Sequence, residues 1–136
     1  ERHGERPEIK KCKNMRYEFE EIKKMIYGFL KSEFHSLGII CKTQVQAREV
    51  NQTIKNLSKD VYLLSFDSEE YHEGIIITST HMAKGLEFDQ VIVPFVDEPT
   101  YHTELDKSLL YIACTRAMHK FDLLYSGDRT LLLRSE

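Results

Sequence analysis

The sequence predicts a three-layer α/β domain with a mainly parallel sheet, and three observations lead to this fold class. Short apolar runs rich in β-branched residues alternate with segments whose apolar residues recur every three or four positions. Strands that alternate with helices in this way favour a parallel sheet covered on both faces. The length of 136 residues suits one domain, and a composition of 41% apolar and 30% charged residues is that of a soluble globular protein.

The chain is organised around a polar segment that lies between two apolar runs. The run Ile75–Thr78 precedes this segment and the run Val91–Pro94 follows it, while His, Lys, Gly, Glu and Asp side chains lie between them. In open α/β sheets, ligands bind in the crevice beyond the carboxyl ends of the strands. A polar loop between two buried strands therefore predicts a functional loop rather than a simple connection.

The other elements follow from periodicity. Apolar spacing predicts a helix over Met15–Leu30 and a helix over Glu104–Met118. Thr43 is a suitable cap for a further helix that continues to about Lys59. The predicted strands are Ile9–Cys12 at an edge, Leu37–Cys41, Val61–Leu64, Ile75–Thr78, Val91–Pro94 and Phe121–Tyr125.

These elements predict three segments. Residues 1–14 are expected to be a linker or an edge strand, residues 15–127 the folded domain, and residues 128–136 a tail. The chain begins without a methionine or a signal-peptide core, which is typical of a piece of a longer protein.

Charge and cysteine content limit the function classes. The net charge of −3 indicates no overall attraction to nucleic acid, although a local basic face is compatible with it. Three widely spaced cysteines, Cys12, Cys41 and Cys114, have no metal-ligand spacing. Reduced thiols, a cytoplasmic setting and no metal site are therefore expected. No apolar run approaches the length of a membrane span, so no membrane partner is expected.

Several catalytic patterns are missing from the sequence. It contains no phosphate loop of the form G-x-x-x-x-G-K-S/T and no G-x-G-x-x-G. No Ser-His-Asp or Cys-His set can be argued from residue order or spacing. Composition and spacing alone lead to an α/β domain with a polar loop over its sheet, and not to a reaction.

Three segments carry a resemblance to a known family. The motif V segment, Thr80–Val91 (T-H-M-A-K-G-L-E-F-D-Q-V), resembles motif V of the UvrD/Rep-type superfamily 1 helicases. The motif VI segment, Leu110–Met118 (L-Y-I-A-C-T-R-A-M), resembles their motif VI, and the motif IV segment, Ile39–Arg48, resembles their motif IV. The segments occur in the family's order. The resemblance implies the second RecA-like motor domain, with the first domain and its phosphate loop absent from this sequence.

The details are most similar to the HelD-like branch, whose members are linked to recycling of RNA polymerase. The similarity rests on Ile40–Thr43, on Ile112–His119 and on the opening residues Arg2–Pro7. Members of the wider family carry a large insertion between motifs IV and V. That insertion is missing here.

The resemblance implies a set of nucleotide contacts. Arg116 matches the motif VI arginine finger, and Glu87 matches the motif V acid that contacts the ribose, with Gly85 allowing close backbone approach. Lys42 stands where the family has a second phosphate-contacting arginine. Cys41 stands where many members have a tyrosine that stacks on adenine, and a buried strand residue is the better interpretation of this cysteine.

The resemblance also implies contacts on the nucleic-acid side. Thr80 and His81 match positions that touch the nucleic-acid backbone, where such contacts position a strand without reading its sequence. Tyr111 and Thr115 are expected to position Arg116 by packing and hydrogen bonding.

The implied function is that of the C-terminal motor domain of an ATP-dependent DNA helicase or translocase. ATP with Mg would be bound mainly by the N-terminal RecA-like domain, and DNA would be the polymer partner. Two alternatives stay open: a HelD-like ATPase domain that remodels RNA polymerase, and a protein-binding module that kept the fold without the motor role.

Overall fold

A computed structural model describes residues 8–66, 68 and 73–133 of the chain. Most of the acidic stretch between Phe66 and Glu73 lies outside these residues, as do the first part of the predicted linker or edge strand and the end of the predicted tail. In chain order the strands are β1 (Glu8–Cys12), β2 (Ser36–Cys41), β3 (Val61–Leu63), β4 (Gly74–Ser79), β5 (Phe88–Val93) and β6 (Ala117–Ser126). The helices are α1 (Met15–Lys31), α2 (Gln44–Ile54), α3 (Thr80–Ala83) and α4 (Glu104–Thr115).

All six strands form one parallel sheet in the order β1-β6-β5-β2-β4-β3. The central strand β2 pairs with β4 on one side, where Leu37 lies opposite Ile75. On its other side it pairs with β5, where Leu37 lies opposite Gln90. Because every strand runs in the same direction, the sheet has one amino edge and one carboxyl edge. The predicted parallel α/β fold is confirmed.

Helices cover both faces of this sheet. Successive strand residues point to opposite faces, so neighbouring isoleucines of β2 enter different cores. Ile39 packs with α1 and α2 residues such as Ile22 and Val50. Ile40 belongs to the other core, which includes Leu110 of α4. The result is a three-layer arrangement in which α4 covers the face opposite α1 and α2.

Capping side chains determine where α1 and α2 begin. Asn14 caps α1, and its side chain accepts a hydrogen bond from the Tyr17 amide at 3.1 Å. Thr43 caps α2 in a reciprocal capping box with Gln46, as the sequence predicted for Thr43. Such caps satisfy amide groups that the first helical turn leaves without partners.

Two helices end earlier than the sequence predicts. The helix predicted to reach Lys59 ends at Ile54, and the helix predicted to reach Met118 ends at Thr115. The second helix stops because the Arg116 amide closes a tight last turn on the Ala113 carbonyl at 3.2 Å. Ala117 then pairs with Phe88 in the sheet.

The polar segment between the runs Ile75–Thr78 and Val91–Pro94 was predicted to be a loop, and that prediction was wrong at both of its ends. Strand β5 already begins at Phe88. Residues Thr80–Ala83 form α3, with Ser79 as the cap. The Ser79 side chain accepts a hydrogen bond from the Met82 amide at 3.4 Å. A helical turn therefore begins directly where β4 ends.

Part of the predicted tail packs on the domain. Arg129 forms an antiparallel bridge with Asp97, and Thr130 is buried. Residues 128–133 are therefore continuous with the folded domain.

Candidate functional site

The motif V segment connects the two edges of the sheet. It leaves the carboxyl end of β4 through α3, crosses the face covered by α4, and enters β5 at the amino edge with Phe88. Its two ends therefore lie on opposite edges of the domain. The predicted site residues divide into two groups according to the edge on which they lie.

Arg116 lies at the amino edge, where α4 ends and β6 begins. Its Nη1 donates to the Leu86 carbonyl oxygen at 3.3 Å, and its Nη2 donates to Thr115 Oγ1 at 3.3 Å. The carbonyl of Arg116 accepts a hydrogen bond from the Phe88 amide at 2.8 Å. The motif V and motif VI segments are therefore joined at Arg116.

The Arg116 guanidinium keeps unused donors. Its Nε is buried and has no hydrogen-bond partner among the described residues. A guanidinium has five N–H donors, and the two contacts to Leu86 and Thr115 use only two of them. A half-buried arginine with free donors suits an anion with several oxygens, and the arrangement fits a phosphate group.

Gly85 and Glu87 flank the carbonyl that Arg116 contacts. Gly85 has φ +85°, a left-handed conformation that favours glycine, and no atom lies within 4 Å of the position a Cβ would take. Both residues are exposed. Three of the predicted nucleotide-binding residues, Gly85, Glu87 and Arg116, are therefore close to one another at the amino edge.

Lys42 is not part of that group. It follows the carboxyl end of β2, where its Nζ lies 2.7 Å from Asp106 Oδ1 and donates to the Thr100 carbonyl oxygen at 2.7 Å. Asp106 is in the first turn of α4, whereas Arg116 caps its end, about 15 Å away along a helix that rises 1.5 Å per residue. The Lys42 and Arg116 side chains therefore lie at opposite edges of the sheet, and Lys42 is held by Asp106 and Thr100.

Asp106 is an almost fully buried carboxylate with several partners. Burial alone would raise its pKa, but hydrogen bonds from the His102 amide, Lys42 and Thr103 together hold the pKa well below its usual range. The carboxylate therefore stays charged and paired with Lys42. Cys41, next to Lys42, is fully buried, and burial raises the pKa of its thiol far above the usual value. Its interpretation as a buried strand residue is confirmed.

Thr80 and His81 lie at the carboxyl edge. Thr80 is fully buried, and its hydroxyl donates to the Cys41 carbonyl oxygen at 3.3 Å. Its side chain is therefore occupied within the fold and is not at the surface. His81 is exposed, with its ring centroid 5.8 Å from that of Phe66.

The two residues predicted to position Arg116 differ. Thr115 contacts it directly through its hydroxyl. Tyr111 is 70% exposed and packs little against the domain, so the structure gives it no positioning contact.

Sequence reasoning missed two aspartates that hold the edges of the site. Asp106 forms a capping box with Thr103, and the Thr-x-x-Asp spacing before an apolar helix was a readable signal. At the amino edge, Asp89 accepts a hydrogen bond from the His35 amide at 2.6 Å, while its own amide donates to Ser36 Oγ at 2.9 Å. No sequence pattern indicated this second contact, because its partners are distant along the chain.

The described residues include no candidate metal site and no candidate membrane span. Among residues 8–66, 68 and 73–133, no group of three or more His, Cys, Asp or Glu side chains is arranged to hold a metal ion. Within the same ranges, no helix is long and apolar enough to cross a membrane.

Comparison with solved structures defines the class of protein. The C-terminal domain of a possible DNA helicase from Lactobacillus plantarum WCFS1 superposes with a TM-score of 0.83 at 25% identity, over 96% of this chain and 80% of that one. The C-terminal domain of the DEAD-box protein Dbp5 shares the fold, with a TM-score of 0.67 at 14% identity over 90% of this chain and 77% of that one. The domain is thus of the RecA-like type found at the C-terminal end of helicase motors.

Sequence comparison supports one family. Residues 74–124 match the model of the UvrD-like helicase C-terminal domain. Together with the structural similarity and the relatives below, this match supports a UvrD-like C-terminal domain of the superfamily 1 type.

The curated relatives are much longer proteins. The Gabija protein GajB of Bacillus cereus VD045 is 30% identical over 121 residues, which cover 82% of this chain and 24% of GajB. DNA helicase II of Escherichia coli K12 is 28% identical over 74 residues, covering 47% of this chain and 10% of the relative. The chain therefore spans about a quarter of one relative and about a tenth of the other.

Proposed function

We propose that this domain is the C-terminal motor domain of an ATP-dependent DNA helicase or translocase. In this proposal the amino edge faces a nucleotide held mainly by an N-terminal RecA-like domain, and the carboxyl edge faces DNA. ATP with Mg would bring the γ-phosphate whose transfer to water drives the motor. The observation that carries the proposal is the contact of Arg116 with Leu86, which lies between Gly85 and Glu87, because Nη1 and Nη2 each keep a second N–H donor there.

Arg116 has the role of an arginine finger in this proposal. A guanidinium is always charged and presents a planar fork to phosphate oxygens, so it stabilises charge that develops during phosphoryl transfer. The hydrogen bonds to Leu86 and Thr115 hold it in one orientation at the domain surface. Glu87 would accept hydrogen bonds from a ribose hydroxyl, and the open space at Gly85 would admit the sugar.

DNA is preferred over RNA polymerase as the partner. Relatives named DNA helicase II support this choice. The carboxyl edge presents the exposed His81 beside the exposed ring of Phe66, and such contacts suit a nucleic-acid strand. The departures of Cys41 and Lys42 from the family's residues would favour a non-motor module, but burial accounts for Cys41 and the ion pair with Asp106 accounts for Lys42.

The experiment is ATP hydrolysis by the complete protein that contains this chain, with and without single-stranded DNA. Arg116→Ala is expected to lower turnover by about a thousandfold, which is typical of arginine-finger loss. Arg16→Ala, which changes an exposed arginine on α1 outside the three motif segments, is the matched control and is expected to keep turnover close to wild type. A normal rate for Arg116→Ala would refute the proposal. The isolated 136-residue chain is expected to be inactive.

A further inference from the structure

A groove between strand β1 and helix α1 is lined by five lysines and lies outside the three motif segments. The lysines are Lys10, Lys11, Lys13, Lys23 and Lys24, and we call this feature the lysine groove. Two glutamates, Glu20 and Glu21, also line it, so five positive and two negative charges give a formal charge of +3. The whole chain carries −3, and the residues outside the groove therefore carry −6. Positive charge is thus concentrated on one face of an otherwise acidic domain.

The two glutamates neutralise only two of the lysines. Lys10 Nζ lies 2.9 Å from Glu21 Oε2, and Lys23 Nζ lies 3.4 Å from Glu20 Oε2. The lysines of the groove that are exposed and form no ion pair with the described part of the chain are Lys11, Lys13 and Lys24. Three ammonium groups are therefore available to a partner with several negative charges.

Two exposed tyrosines lie among these lysines. Tyr17, Lys24 and Tyr27 are separated by seven and three residues, a spacing that places them on one face of α1. Lys13 precedes the helix, and its Nζ lies 6.0 Å from the centroid of the Tyr17 ring. Tyr17 is 47% exposed and Tyr27 is 50% exposed, whereas α1 enters the core through other residues such as Ile22. Cations and aromatic rings therefore alternate along the open side of the groove.

This alternation fits a single-stranded nucleic acid better than other polyanions. Lysine side chains contact phosphates, and aromatic rings stack on unpaired bases. An acidic protein segment offers carboxylates to the lysines but no flat bases to the tyrosines. A duplex keeps the faces of its bases inside the stack, where the tyrosine rings do not reach them.

The lysine groove is separate from the surface at His81. In the sheet order, β1 lies four strand positions from β4, after which His81 follows. Neighbouring strands are about 4.8 Å apart, so the ends of β1 and β4 are separated by roughly 19 Å. The groove is therefore a distinct feature and not an extension of the side chains around His81.

We propose that the lysine groove is a second binding site, for a single-stranded nucleic acid. Phosphates of the strand contact Lys11, Lys13 and Lys24. Bases of the strand stack on the rings of Tyr17 and Tyr27. Such contacts hold a strand without reading its sequence. This inference goes beyond the proposed function, because the site involves neither Arg116 nor ATP.

The test measures binding of fluorescein-labelled oligo-dT to the 136-residue chain by fluorescence anisotropy, over a series of salt concentrations. For single strands, the logarithm of the association constant changes with the logarithm of the salt concentration by about −0.7 per phosphate contact, so three contacts predict a slope of about −2. Lys13→Gln combined with Lys24→Gln is expected to reduce this slope to about −0.7. Circular dichroism of each variant checks that these exposed changes leave the fold intact.

Tyr17→Leu separates stacking from charge. Loss of one stacked base is expected to weaken binding by about tenfold, and the salt slope is expected to stay the same because no phosphate contact is lost. Tyr27→Leu is expected to act in the same way. Oligo-U carries the same phosphates and is expected to bind with equal affinity, whereas a duplex of the same length is expected to bind more weakly.

Lys55→Gln combined with Lys59→Gln is the matched control. Both lysines are exposed and lie between α2 and β3, and β3 is at the other end of the sheet from β1. The control is expected to keep the wild-type affinity and salt slope. An equal loss in the control would overturn the inference, because it would show a general effect of net charge.

Other outcomes decide between the groove and its alternatives. If His81→Ala abolishes binding while the Lys13 and Lys24 variant keeps the wild-type slope, the groove is refuted and the carboxyl edge of the proposed function is not. If a poly-aspartate peptide binds as tightly as oligo-dT and Tyr17→Leu has no effect, the partner is an acidic protein segment and the inference fails. Normal ATP turnover of Arg116→Ala in the complete protein would refute the proposed function and leave the groove untouched.

Discussion

Arg116 donates a hydrogen bond from Nη1 to the carbonyl oxygen of Leu86 at 3.3 Å, and this contact joins the end of α4 to the connection that enters β5. Leu86 lies between Gly85 and Glu87, so the arginine and the exposed carboxylate belong to one local arrangement. A change in the path of the motif V segment therefore moves the acceptor that orients Arg116. Gly85, Leu86, Glu87 and Arg116 therefore form one connected group at the amino edge.

Glu87→Gln in the complete protein is expected to raise the KM for ATP by about tenfold, with a smaller effect on kcat. A hydrogen bond to a charged acceptor contributes about 1.5–3 kcal/mol, and its loss from a ground-state contact appears mainly in KM. Steady-state ATP hydrolysis measures both constants. Glu49→Gln, which changes an exposed glutamate of α2, is the control. An unchanged KM for Glu87→Gln would argue against a ribose contact.

Much of the fold was predictable because local patterns agree with it. The β-branched run Ile75–Thr78 was predicted as a strand and lies within β4. Thr43 was predicted as a helix cap and caps α2. Both depend on neighbours within a few residues, where periodicity and capping carry the information.

The rest could not be predicted, because the partners are distant along the chain. The resemblance aligns Lys42 with a phosphate-contacting residue, but alignment does not show that Lys42 pairs with Asp106 in the first turn of α4. The extent of α4 was similarly fixed by the pairing of Ala117 with Phe88, which periodicity cannot indicate. Thr80, in the first turn of α3, contacts Cys41 of β2, which lies 39 residues earlier in the chain.

The contribution of Glu18 to the stability of the domain is expected to change with pH in a defined direction. Glu18 is fully buried, and burial raises its pKa despite hydrogen bonds from the Phe95 amide at 2.9 Å and Ser126 Oγ at 2.8 Å. The folded state therefore binds this proton more tightly than the unfolded state. Its contribution to the free energy of unfolding is full below the unfolded value of 4.5 and is lost as the pH rises through the folded pKa.

Glu18→Gln isolates this contribution. Glutamine keeps an acceptor for the Phe95 amide and is neutral at every pH, so the stability of the variant relative to wild type is expected to increase as the pH rises from about 4.5. Urea unfolding of the 136-residue chain at a series of pH values measures the difference. A difference that is constant with pH would contradict the raised pKa.

Asp106→Asn is expected to show the opposite trend. Because the folded pKa of Asp106 is lowered, its contribution is present above the unfolded value of 3.8 and is lost as the pH falls through the folded pKa. The wild-type chain should therefore lose stability relative to the variant on acidification below about 3.8. The same urea series measures it, and the two variants with opposite slopes control for general acid effects. Equal slopes would show that neither carboxylate governs the trend.

Gly38→Ala is expected to destabilise the domain, because the strands β2 and β5 meet at this glycine. A Cβ at residue 38 would lie 2.6 Å from Cδ2 of Phe88, and Phe88 is fully buried. A ring without free space cannot move away, so overpacking is expected to cost about 1–3 kcal/mol in the free energy of unfolding. Gly28→Ala is the matched control, since Gly28 lies within α1 and its Cβ would meet no atom within 4 Å. There the same change is expected to stabilise by about 0.5–1 kcal/mol, because alanine is the better helix former. Urea unfolding of both variants measures whether each free energy of unfolding falls or rises. A stabilised Gly38→Ala chain would mean that Phe88 can repack within the core.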